Sequence, residues 1–417
     1  GTGSSTYAFN LAMALERETN KRVIYVRMRT FRKAGLEENQ KNAEKFEKWK
    51  QGAINLVEVG EDFETIFQSV VKEKFPFDVI NVFLDSENES VAESDLIRQI
   101  SPFVSMLGSD YHYVVVDLPN NVDDTVLEML TQSDLVHLIT SDRRRDLEMI
   151  RAVIDRLEMN LQGNFSVKRL QVLIRALHAK VYMSFEEIDK FIDYSVYSML
   201  PYLPPTELVQ EGYMEDLHVS ACLDTSDYAK TIRHIAREIG GVRVGVVLGG
   251  GAALGVAHVG VIRVLEQENI PVDIVVGSSM GALIGAMWCS DKDADALEEV
   301  ASEFHSLWST LKLADPNLIP KSGLIQGKAI KRWLKKHLGN KTFYGTRIPF
   351  KVVSYDLIRR EEKIIGSGSL VDAVRESVAI PGVIDPVIDG DQVIIDGGVL
   401  NPLPTNVLTQ MGVKKII

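Results

Sequence analysis

Residues 274–287 read Ile-Val-Val-Gly-Ser-Ser-Met-Gly-Ala-Leu-Ile-Gly-Ala-Met, and this stretch decides the fold of the second half of the chain. Its three apolar residues predict a strand, Gly277-Ser278-Ser279-Met280-Gly281 follows as G-x-S-x-G, and the small residues after it predict a helix. Glycines Gly277 and Gly281 allow a tight turn that lifts the Ser279 hydroxyl above the sheet and directs the helix N-terminus to the same place. The stretch is typical of an α/β fold with a nucleophile elbow centred on Ser279.

A glycine loop, Leu248-Gly249-Gly250-Gly251, ends an earlier predicted strand. It does not fit a dinucleotide site, because G-x-G-x-x-G starting at Gly249 needs a glycine where Leu254 stands. Backbone N–H groups at the start of a predicted helix are equally suited to hold an oxyanion if a nucleophile faces them. We therefore predict an oxyanion hole at Gly249, Gly250 and Gly251.

A third motif, Asp396-Gly397-Gly398, follows the predicted strand Val393 to Ile395. A carboxylate can act as the base for a serine when a partly dry site raises its proton affinity. In these 417 residues no histidine follows Asp396, whereas the Ser, Asp, His order of an α/β-hydrolase triad requires one there, although a longer chain could contain it. His305 and His337 leave a triad in another order open, whereas His258 fits a hydrogen-bonded packing residue.

Composition and charge restrict the class of protein. With 417 residues, 45% of them apolar and 25% charged, the chain is long enough for two ordinary globular domains. A formal net charge of −12 disfavours a nucleic-acid partner. Cys222 and Cys289 indicate neither a disulfide framework nor a thiolate metal site, so we expect a cytoplasmic protein. The uncharged stretch 244–262 imitates a membrane span in length, but its glycines favour strand, loop and helix.

A domain boundary is predicted at Gly240-Gly241, where a helix ends at a glycine pair and an apolar strand begins. Strands alternate with helical segments on both sides, which predicts two α/β domains, 1–240 and 241–417, each with a mainly parallel sheet flanked by helices. The strand-like end, Lys414 to Ile417, suggests that the second domain is truncated at its C-terminus. The predicted strands are Val23 to Val26, Ile54 to Val57, Val79 to Leu84, Tyr113 to Leu118, Leu135 to Ile139 and Leu170 to Ile174, then Val244 to Leu248, Ile274 to Val276, Phe350 to Ser354 and Val393 to Ile395.

The first domain opens with Gly1-Thr2-Gly3-Ser4-Ser5-Thr6 and runs directly into an amphipathic helix. Together with the strand Tyr113 to Pro119 and the helix Tyr228 to Gly240, this pattern resembles the ParA/MinD family of deviant Walker ATPases over residues 1–240. The resemblance implies a phosphate-loop fold.

The residues that carry the chemistry of that family are changed. Ser4 stands where a phosphate loop needs a lysine, and Arg27 and Arg29 stand where the family has aspartates. Asp117 and Ser5 are expected to cap the sheet and the helix rather than to hold a metal. We predict a degenerate pseudo-ATPase domain used as a scaffold, a regulatory surface or a self-association module.

The glycine loop, G-x-S-x-G and D-G-G motifs together resemble the patatin-like phospholipase family, in particular its neuropathy target esterase branch, over Val242 to Ile417. The segment Arg375 to Pro381 adds to this resemblance. It implies a serine acyl hydrolase that cleaves phospholipid or lysophospholipid esters through an acyl-enzyme, with Ser279 as nucleophile and Asp396 as base, and without metal or cofactor. Ala252 and Leu254 depart from the family pattern, which has a glycine and a basic residue there. The alternative is a regulatory scaffold built from two decayed enzyme folds.

The segment Lys328 to Leu338 predicts an amphipathic helix with one apolar face between cations. Such a helix either covers its own core or lies on an anionic bilayer, which would make the protein a peripheral membrane protein. The apolar residues are Ile330, Trp333, Leu334 and Leu338, and the cations are Lys331, Arg332, Lys335 and Lys336.

Overall fold

A computed structural model describes residues 3–31, 53–56, 66, 68–70, 75–85, 93–119, 123–160, 169–178, 183, 185–203, 208–210, 218–220, 226–309, 315–316 and 323–417. The chain divides into two compact units, Gly1–Gly240 and Gly241–Ile417. The division falls within the glycine pair at which the sequence predicts a boundary. These are called the first and the second unit below.

The first unit contains two parallel sheets. Strands β1 Val23–Phe31, β2 Ile54–Asn55, β3 Asp78–Asp85 and β4 Tyr113–Asp117 lie in the order β2-β3-β1-β4. Strands β5 Val136–Ser141, β6 Leu170–Arg175 and β7 Val196–Leu200 form the second sheet in that order, and β8 Leu208–Gln210 pairs with β9 His218–Ser220. The helices are Ser4–Thr19, Glu93–Asp110, Asp124–Thr131, Arg144–Asn160, Phe185–Ile192 and Asp227–Ile239.

Strand β1 shows why the first sheet is buried on both faces. Val23 and Tyr25 pack into one hydrophobic cluster, whereas Ile24 and Val26 pack into another on the opposite face. Successive side chains of a strand point to opposite faces, so an uninterrupted apolar run fits a parallel sheet covered by helices on both sides.

The second unit is built on a seven-stranded mixed sheet. Its path is β16-β17-β13-β11-β10-β18, with β14 paired to β13; β18, β10, β11 and β13 are parallel to one another, while β14 and β17 run antiparallel to β13, and β16 antiparallel to β17. Its strands are β10 Val244–Leu248, β11 Ile274–Ser278, β12 Gly323–Ile325, β13 Phe350–Asp356, β14 Glu361–Ile365, β15 Gly382–Ile384, β16 Val387–Asp389, β17 Gln392–Asp396 and β18 Lys415–Ile416. Its α-helices are Ala257–Gln267, Met280–Ser290, Ala294–Ser309, Lys328–Leu338, Leu370–Ser377 and Thr405–Gln410. The predicted parallel centre is present, and the predicted strand Val393 to Ile395 is one of the antiparallel ones.

Strand β13 sets the relative position of the motifs. Ser278 of β11 lies opposite Val353 of β13, and Asp396 of β17 lies opposite Ser354. Leu248 at the end of β10 is paired with Gly277. The ends of three strands, each followed by one of the glycine motifs, therefore meet at one edge of the sheet.

The helix Lys328–Leu338 forms as predicted, but its apolar face packs inside its own unit. Four apolar side chains of this helix are buried in the main core of the second unit: Ile330, Trp333, Leu334 and Leu338. Lys331 pairs with Asp372, and Lys336 pairs with Glu303. Of the two alternatives that the sequence leaves open for this apolar face, the structure therefore has the one in which it covers the core and not the one in which it lies on a bilayer. Membrane contact through the cations of the helix stays a prediction. In the described part of the chain, no helix is both long and apolar enough to cross a membrane.

Candidate active site

The strand-turn-helix around Ser279 has the geometry that its glycines require. Strand β11 ends at Ser278, the helix begins at Met280, and Ser279 between them has φ 54° and ψ −121°. A Cβ on Gly277 would lie 2.6 Å from the Cα of Ala282, and one on Gly281 would lie 1.9 Å from the carbonyl oxygen of Leu248. Both glycines are required by close backbone approach, and the positive φ of a serine is a strain that persists only where the surroundings fix it.

Ser279 and Asp396, which are 117 positions apart, meet at this turn. The Ser279 hydroxyl donates a hydrogen bond of 2.6 Å from Oγ to Oδ2 of Asp396. The other carboxylate oxygen, Oδ1, accepts the Gly398 N–H at 2.7 Å. A Cβ on Gly397 would lie 2.3 Å from the Val353 carbonyl oxygen, so the D-G-G turn also needs its first glycine. The turn thus holds one carboxylate oxygen and leaves the other to the serine.

Burial raises the pKa of the Asp396 carboxyl above its ordinary value of 3.8. The hydrogen bonds from Ser279 and from the Gly398 N–H act in the opposite direction, and burial is the largest cause. Asp396 is 4% exposed, and no cation among the described residues forms a salt bridge with it. A carboxylate with a raised proton affinity is a stronger base toward a hydroxyl proton.

The glycine loop is anchored on both sides. The Gly250 N–H donates to the Pro402 carbonyl oxygen at 2.8 Å, and His258 Nε2 donates to the Gly249 carbonyl oxygen at 2.9 Å. The prediction that Gly250 donates to an oxyanion is therefore wrong, because its N–H already has a partner. Its lack of a side chain serves another purpose, since a Cβ there would lie 3.3 Å from the Cβ of Ser279. His258 is the predicted hydrogen-bonded packing residue.

Two backbone donors remain beside Ser279. Within the described residues the Gly251 N–H has no protein acceptor, and the N–H of Met280, at the first position of its helix, has no intrahelical acceptor. Leu254, in the 3-10 turn Ala252–Val256 after the loop, is 82% exposed. The side chain of Ala252 lies outside the described part. In this loop Gly250 leaves room for the Ser279 side chain. The Gly251 N–H is the candidate donor to an oxyanion.

One histidine of the alternative triad, His337, contacts residues other than Ser279. His337 Nε2 lies 3.1 Å from Oε2 of Glu303, and its ring packs on Trp333 with centroids 4.7 Å apart. These contacts assign His337 to the core-covering helix instead of to Ser279. The side chain of His305 lies outside the described residues. Among the described candidates for the base, Asp396 is the one whose side chain contacts Ser279.

Sequence reasoning missed two contacts that hold the dyad. Ser377 Oγ accepts the Ser279 N–H at 2.8 Å and donates to the Val353 carbonyl oxygen at 2.6 Å. The Asp396 N–H donates to the Ala379 carbonyl oxygen at 3.0 Å. Both residues lie in the segment Arg375 to Pro381 that contributed to the resemblance, but nothing in that segment indicates which hydroxyl or carbonyl points at the site.

In the first unit, Ser5 and Asp117 also form a serine-aspartate pair. Ser5 Oγ donates to Oδ2 of Asp117 at 2.7 Å, and Arg29 Nη2 contacts the same oxygen at 3.0 Å. Arg29 also donates to Ser5 Oγ at 3.2 Å, and the Tyr25 hydroxyl lies 3.3 Å from Oδ2. Asp117, with its side chain 1% exposed, is thus paired with a cation and with two hydroxyls. The serine in the first turn of the helix and the aspartate at the end of the strand are thus joined by a hydrogen bond, and the prediction that they cap these elements stays a prediction.

A family model and several known proteins match part of this chain. Residues 246–409 match the family model described as patatin-like phospholipase. The neuropathy target esterase sws of Drosophila melanogaster is 30% identical over 208 residues, which are 49% of this chain and 14% of that protein. Human patatin-like phospholipase domain-containing protein 6 is 29% identical over 49% of this chain and 15% of its own length. An uncharacterized NTE family protein of Mycobacterium tuberculosis is 37% identical over 42% of this chain and 29% of its own length. The chain therefore spans less than a third of each of these relatives.

Solved structures similar to this chain belong to partition and cell-division ATPases. A ParA family ATPase from Chlorobium tepidum is 18% identical, with a TM-score of 0.42, over 57% of this chain and 93% of that one. The cell division ATPase MinD of Pyrococcus furiosus is 16% identical, with a TM-score of 0.41, over 57% and 93%. Similarity at this level adds nothing to the strand order described above for the first unit.

Proposed function

Because residues 246–409 form a patatin-like phospholipase domain, we propose that the second unit is a serine acyl hydrolase that cleaves phospholipid or lysophospholipid esters. The observation that carries this proposal is the 2.6 Å hydrogen bond from Ser279 to Asp396 at a strained strand-to-helix turn. A serine hydroxyl is a weak nucleophile until a positioned base takes its proton. Asp396, buried and without a paired cation in the described part, is suited to take it.

In the first half of the reaction Ser279 Oγ attacks the ester carbonyl carbon and its proton moves to Oδ2 of Asp396. The carbonyl oxygen becomes an oxyanion, for which the N–H groups of Gly251 and Met280 are the proposed donors. The N-terminus of the helix Met280–Ser290 adds a favourable dipole at the same place. The tetrahedral intermediate collapses, the bond to the leaving alcohol breaks, and Asp396 returns the proton to the alcohol oxygen.

In the second half a water molecule releases the acyl group. Asp396 takes a proton from water as its oxygen attacks the acyl-enzyme carbon, and the oxyanion forms against the same donors. Collapse of this intermediate breaks the bond to Ser279 Oγ, which regains a proton from Asp396. One ester and one water yield a carboxylic acid and an alcohol, with the enzyme unchanged.

The surroundings of the dyad favour an ester with long acyl chains. Four apolar side chains in the loops after the glycine loop and after D-G-G are each more than half exposed: Leu254, Val399, Leu400 and Leu403. The hydrogen bond from the Gly250 N–H to the Pro402 carbonyl oxygen joins these two loops, and we infer that the four side chains lie near one another beside the dyad. We call them the apolar rim. Exposed apolar side chains grouped at a site favour an apolar ligand over a polar one.

Hydrolysis of a short acyl ester and of a lysophospholipid tests this proposal with wild-type protein and Ser279→Ala. We expect both substrates to be cleaved by the wild type and neither by the variant. Replacing Leu254 and Leu400 by serine should lower cleavage of the long-chain substrate about tenfold, which corresponds to about 1.4 kcal/mol, because an acyl chain would cover only part of each exposed leucine. Cleavage of the short ester should fall much less. Equal loss on both substrates would show that the rim does not contact acyl chains. A wild-type protein without hydrolytic activity would contradict the proposed function.

For the first unit we infer a role without ATP hydrolysis. Arg29 neutralises Asp117, and Ser4 provides no positive charge for a phosphate. Its use as a regulatory or self-association module stays a prediction, as does cytoplasmic residence. Magnesium-dependent ATP turnover by the full chain would contradict this inference.

A further inference from the structure

Ser377 connects the nucleophile to the rest of the sheet. It is the last residue of the helix Leu370–Ser377 and is fully buried. Its oxygen accepts the N–H of Ser279 at 2.8 Å, while its own hydroxyl proton goes to the carbonyl of Val353 at 2.6 Å. A single side chain therefore fixes the backbone of the nucleophile against strand β13.

The same short segment fixes the base. Two residues after Ser377, the Ala379 carbonyl accepts the Asp396 N–H at 3.0 Å. The register of β13 places Ser278 opposite Val353 and Asp396 opposite Ser354. Nucleophile and base are thus both held by the segment Ser377 to Ala379 and by neighbouring positions of β13.

The turn needs such a restraint. Ser279 has φ 54°, a conformation that costs a non-glycine residue roughly 1–3 kcal/mol. Its N–H is buried, and a buried donor without an acceptor is costly. With this backbone conformation the Ser279 hydroxyl lies 2.6 Å from Asp396, so a group that holds the backbone also bears on the length of the reactive hydrogen bond.

We propose that Ser377 is a positioning residue for the reaction: its hydroxyl holds the strained Ser279 backbone and thereby sets the distance between nucleophile and base. This inference rests on the proposed function for its catalytic consequence. It has a further consequence for the oxyanion. The Ser279 N–H is committed to Ser377, so stabilisation of the oxyanion falls to other N–H groups.

Ser377→Ala tests the proposal, with Ser290→Ala as its matched control. Ser290 is a buried serine in the same unit whose Oγ has no hydrogen-bond partner among the described residues. For Ser377→Ala we expect kcat on a short ester to fall about tenfold to a hundredfold, the effect of misplacing a reacting group by an ångström, with KM nearly unchanged. Ser290→Ala should keep wild-type kcat. Folded fractions and unfolding temperatures of both variants are measured so that activity is compared per folded molecule.

Two further measurements separate positioning from general destabilisation. The hydrogen bond from Ser279 lowers the pKa of Asp396, so its weakening should move the acid limb of the kcat profile of Ser377→Ala to higher pH. The other causes of the Asp396 pKa shift are burial, which is the largest, and the Gly398 N–H, and no charged group among the described residues is one of them. A crystal structure of Ser377→Ala should show Ser279 outside φ 54° or the distance from Ser279 Oγ to Asp396 Oδ2 beyond about 3.2 Å.

Wild-type kcat and an unshifted acid limb in Ser377→Ala would overturn the positioning role while leaving the proposed function intact. If the wild-type protein hydrolyses no ester, the proposed function fails, and the crystal structure still decides the positioning. Unchanged φ and unchanged Oγ–Oδ2 distance in the variant would then overturn it.

Discussion

Both units place a serine hydroxyl against an aspartate carboxylate, at 2.7 Å for Ser5 and Asp117 and at 2.6 Å for Ser279 and Asp396. In the first unit the carboxylate oxygen that accepts the serine also accepts Arg29. In the second unit the carboxylate has no salt bridge in the described part of the chain, and burial raises its pKa. The two pairs share their hydrogen bond and differ in the charge around it.

The backbone of the serine differs as well. Ser5 lies within the first turn of the helix Ser4–Thr19, an ordinary helical position, whereas Ser279 lies before its helix with φ 54°. A serine-aspartate hydrogen bond is therefore not by itself a sign of reactivity. A carboxylate that is paired with a cation, beside a serine with ordinary helical backbone angles, has a structural role. A carboxylate without a paired cation, beside a strained serine, is suited to take a proton.

The largest effect is expected from the nucleophile. Ser279→Ala should abolish hydrolysis of a short acyl ester, since no other described hydroxyl contacts Asp396. Ser5→Ala should retain this hydrolysis, because Ser5 contacts a carboxylate that is already paired with Arg29. Initial rates of both variants, with thermal unfolding to verify the fold, test the contrast. Activity in folded Ser279→Ala would contradict it.

Removing the base should have the next largest effect. Asp396→Asn keeps the shape but cannot take the proton, so kcat should fall roughly a hundredfold to ten-thousandfold, the range of general-base loss. His337→Ala is the matched control, because His337 contacts Glu303 and should leave kcat near that of the wild type. A larger loss in His337→Ala than in Asp396→Asn would show that a histidine is the base.

The free energy of unfolding of the first unit should depend on the ion pair between Arg29 and Asp117. Arg29→Gln leaves the buried Asp117 charge without its cation, which should lower the free energy of unfolding of this unit by about 3 kcal/mol. Lys230→Gln is the control, because Lys230 pairs with Asp227 at the surface and should cost less than about 1 kcal/mol. Denaturant unfolding of both variants measures the difference. Equal stability would mean that Asp117 does not depend on Arg29.

Both kcat and the stability of the second unit should depend on pH through Asp396, with a smaller effect than the substitutions above. Asp396 must be ionised to act, so kcat should fall as the pH drops through its raised pKa. For stability the sign is the reverse: above pH 3.8 the unfolded carboxyl loses its proton while the folded one keeps it, so the fold loses stability as the pH rises to the folded pKa. Asp396→Asn should therefore unfold at a higher temperature relative to wild type at pH 7 than at pH 4. A constant difference between the two pH values would contradict this.

The sequence predicts those features that depend on neighbouring residues. The apolar run before Gly277, the small residues after Gly281 and the glycine pair at 240–241 all act locally, and the strand, helix and unit boundary fall where these signals place them. The antiparallel direction of β17 depends on a partner strand about 40 positions away, and an isolated apolar run does not encode it.

The parts of the site that the sequence does not predict are contacts between residues far apart in the chain. Ser377 reaches Ser279 across 98 positions, and Pro402 takes the Gly250 N–H from a loop on another strand. The sequence shows that Arg29 stands where the ParA/MinD family has an aspartate, but only the folded sheet shows that it pairs with Asp117. The helix Lys328–Leu338 has a pattern that suits a core or a bilayer equally, and tertiary packing decides between them.

Labelling of the full chain with a fluorophosphonate, followed by mapping of the adduct, tests most directly whether the pair of Ser279 and Asp396 is reactive and the pair of Ser5 and Asp117 is not. We predict an adduct on Ser279 and none on Ser5, with labelling of Ser279 slowed on the order of a hundredfold in Asp396→Asn. The two serines are compared in the same molecule under the same conditions. Absence of an adduct on Ser279, or labelling of Ser5 to the same extent, would contradict the account.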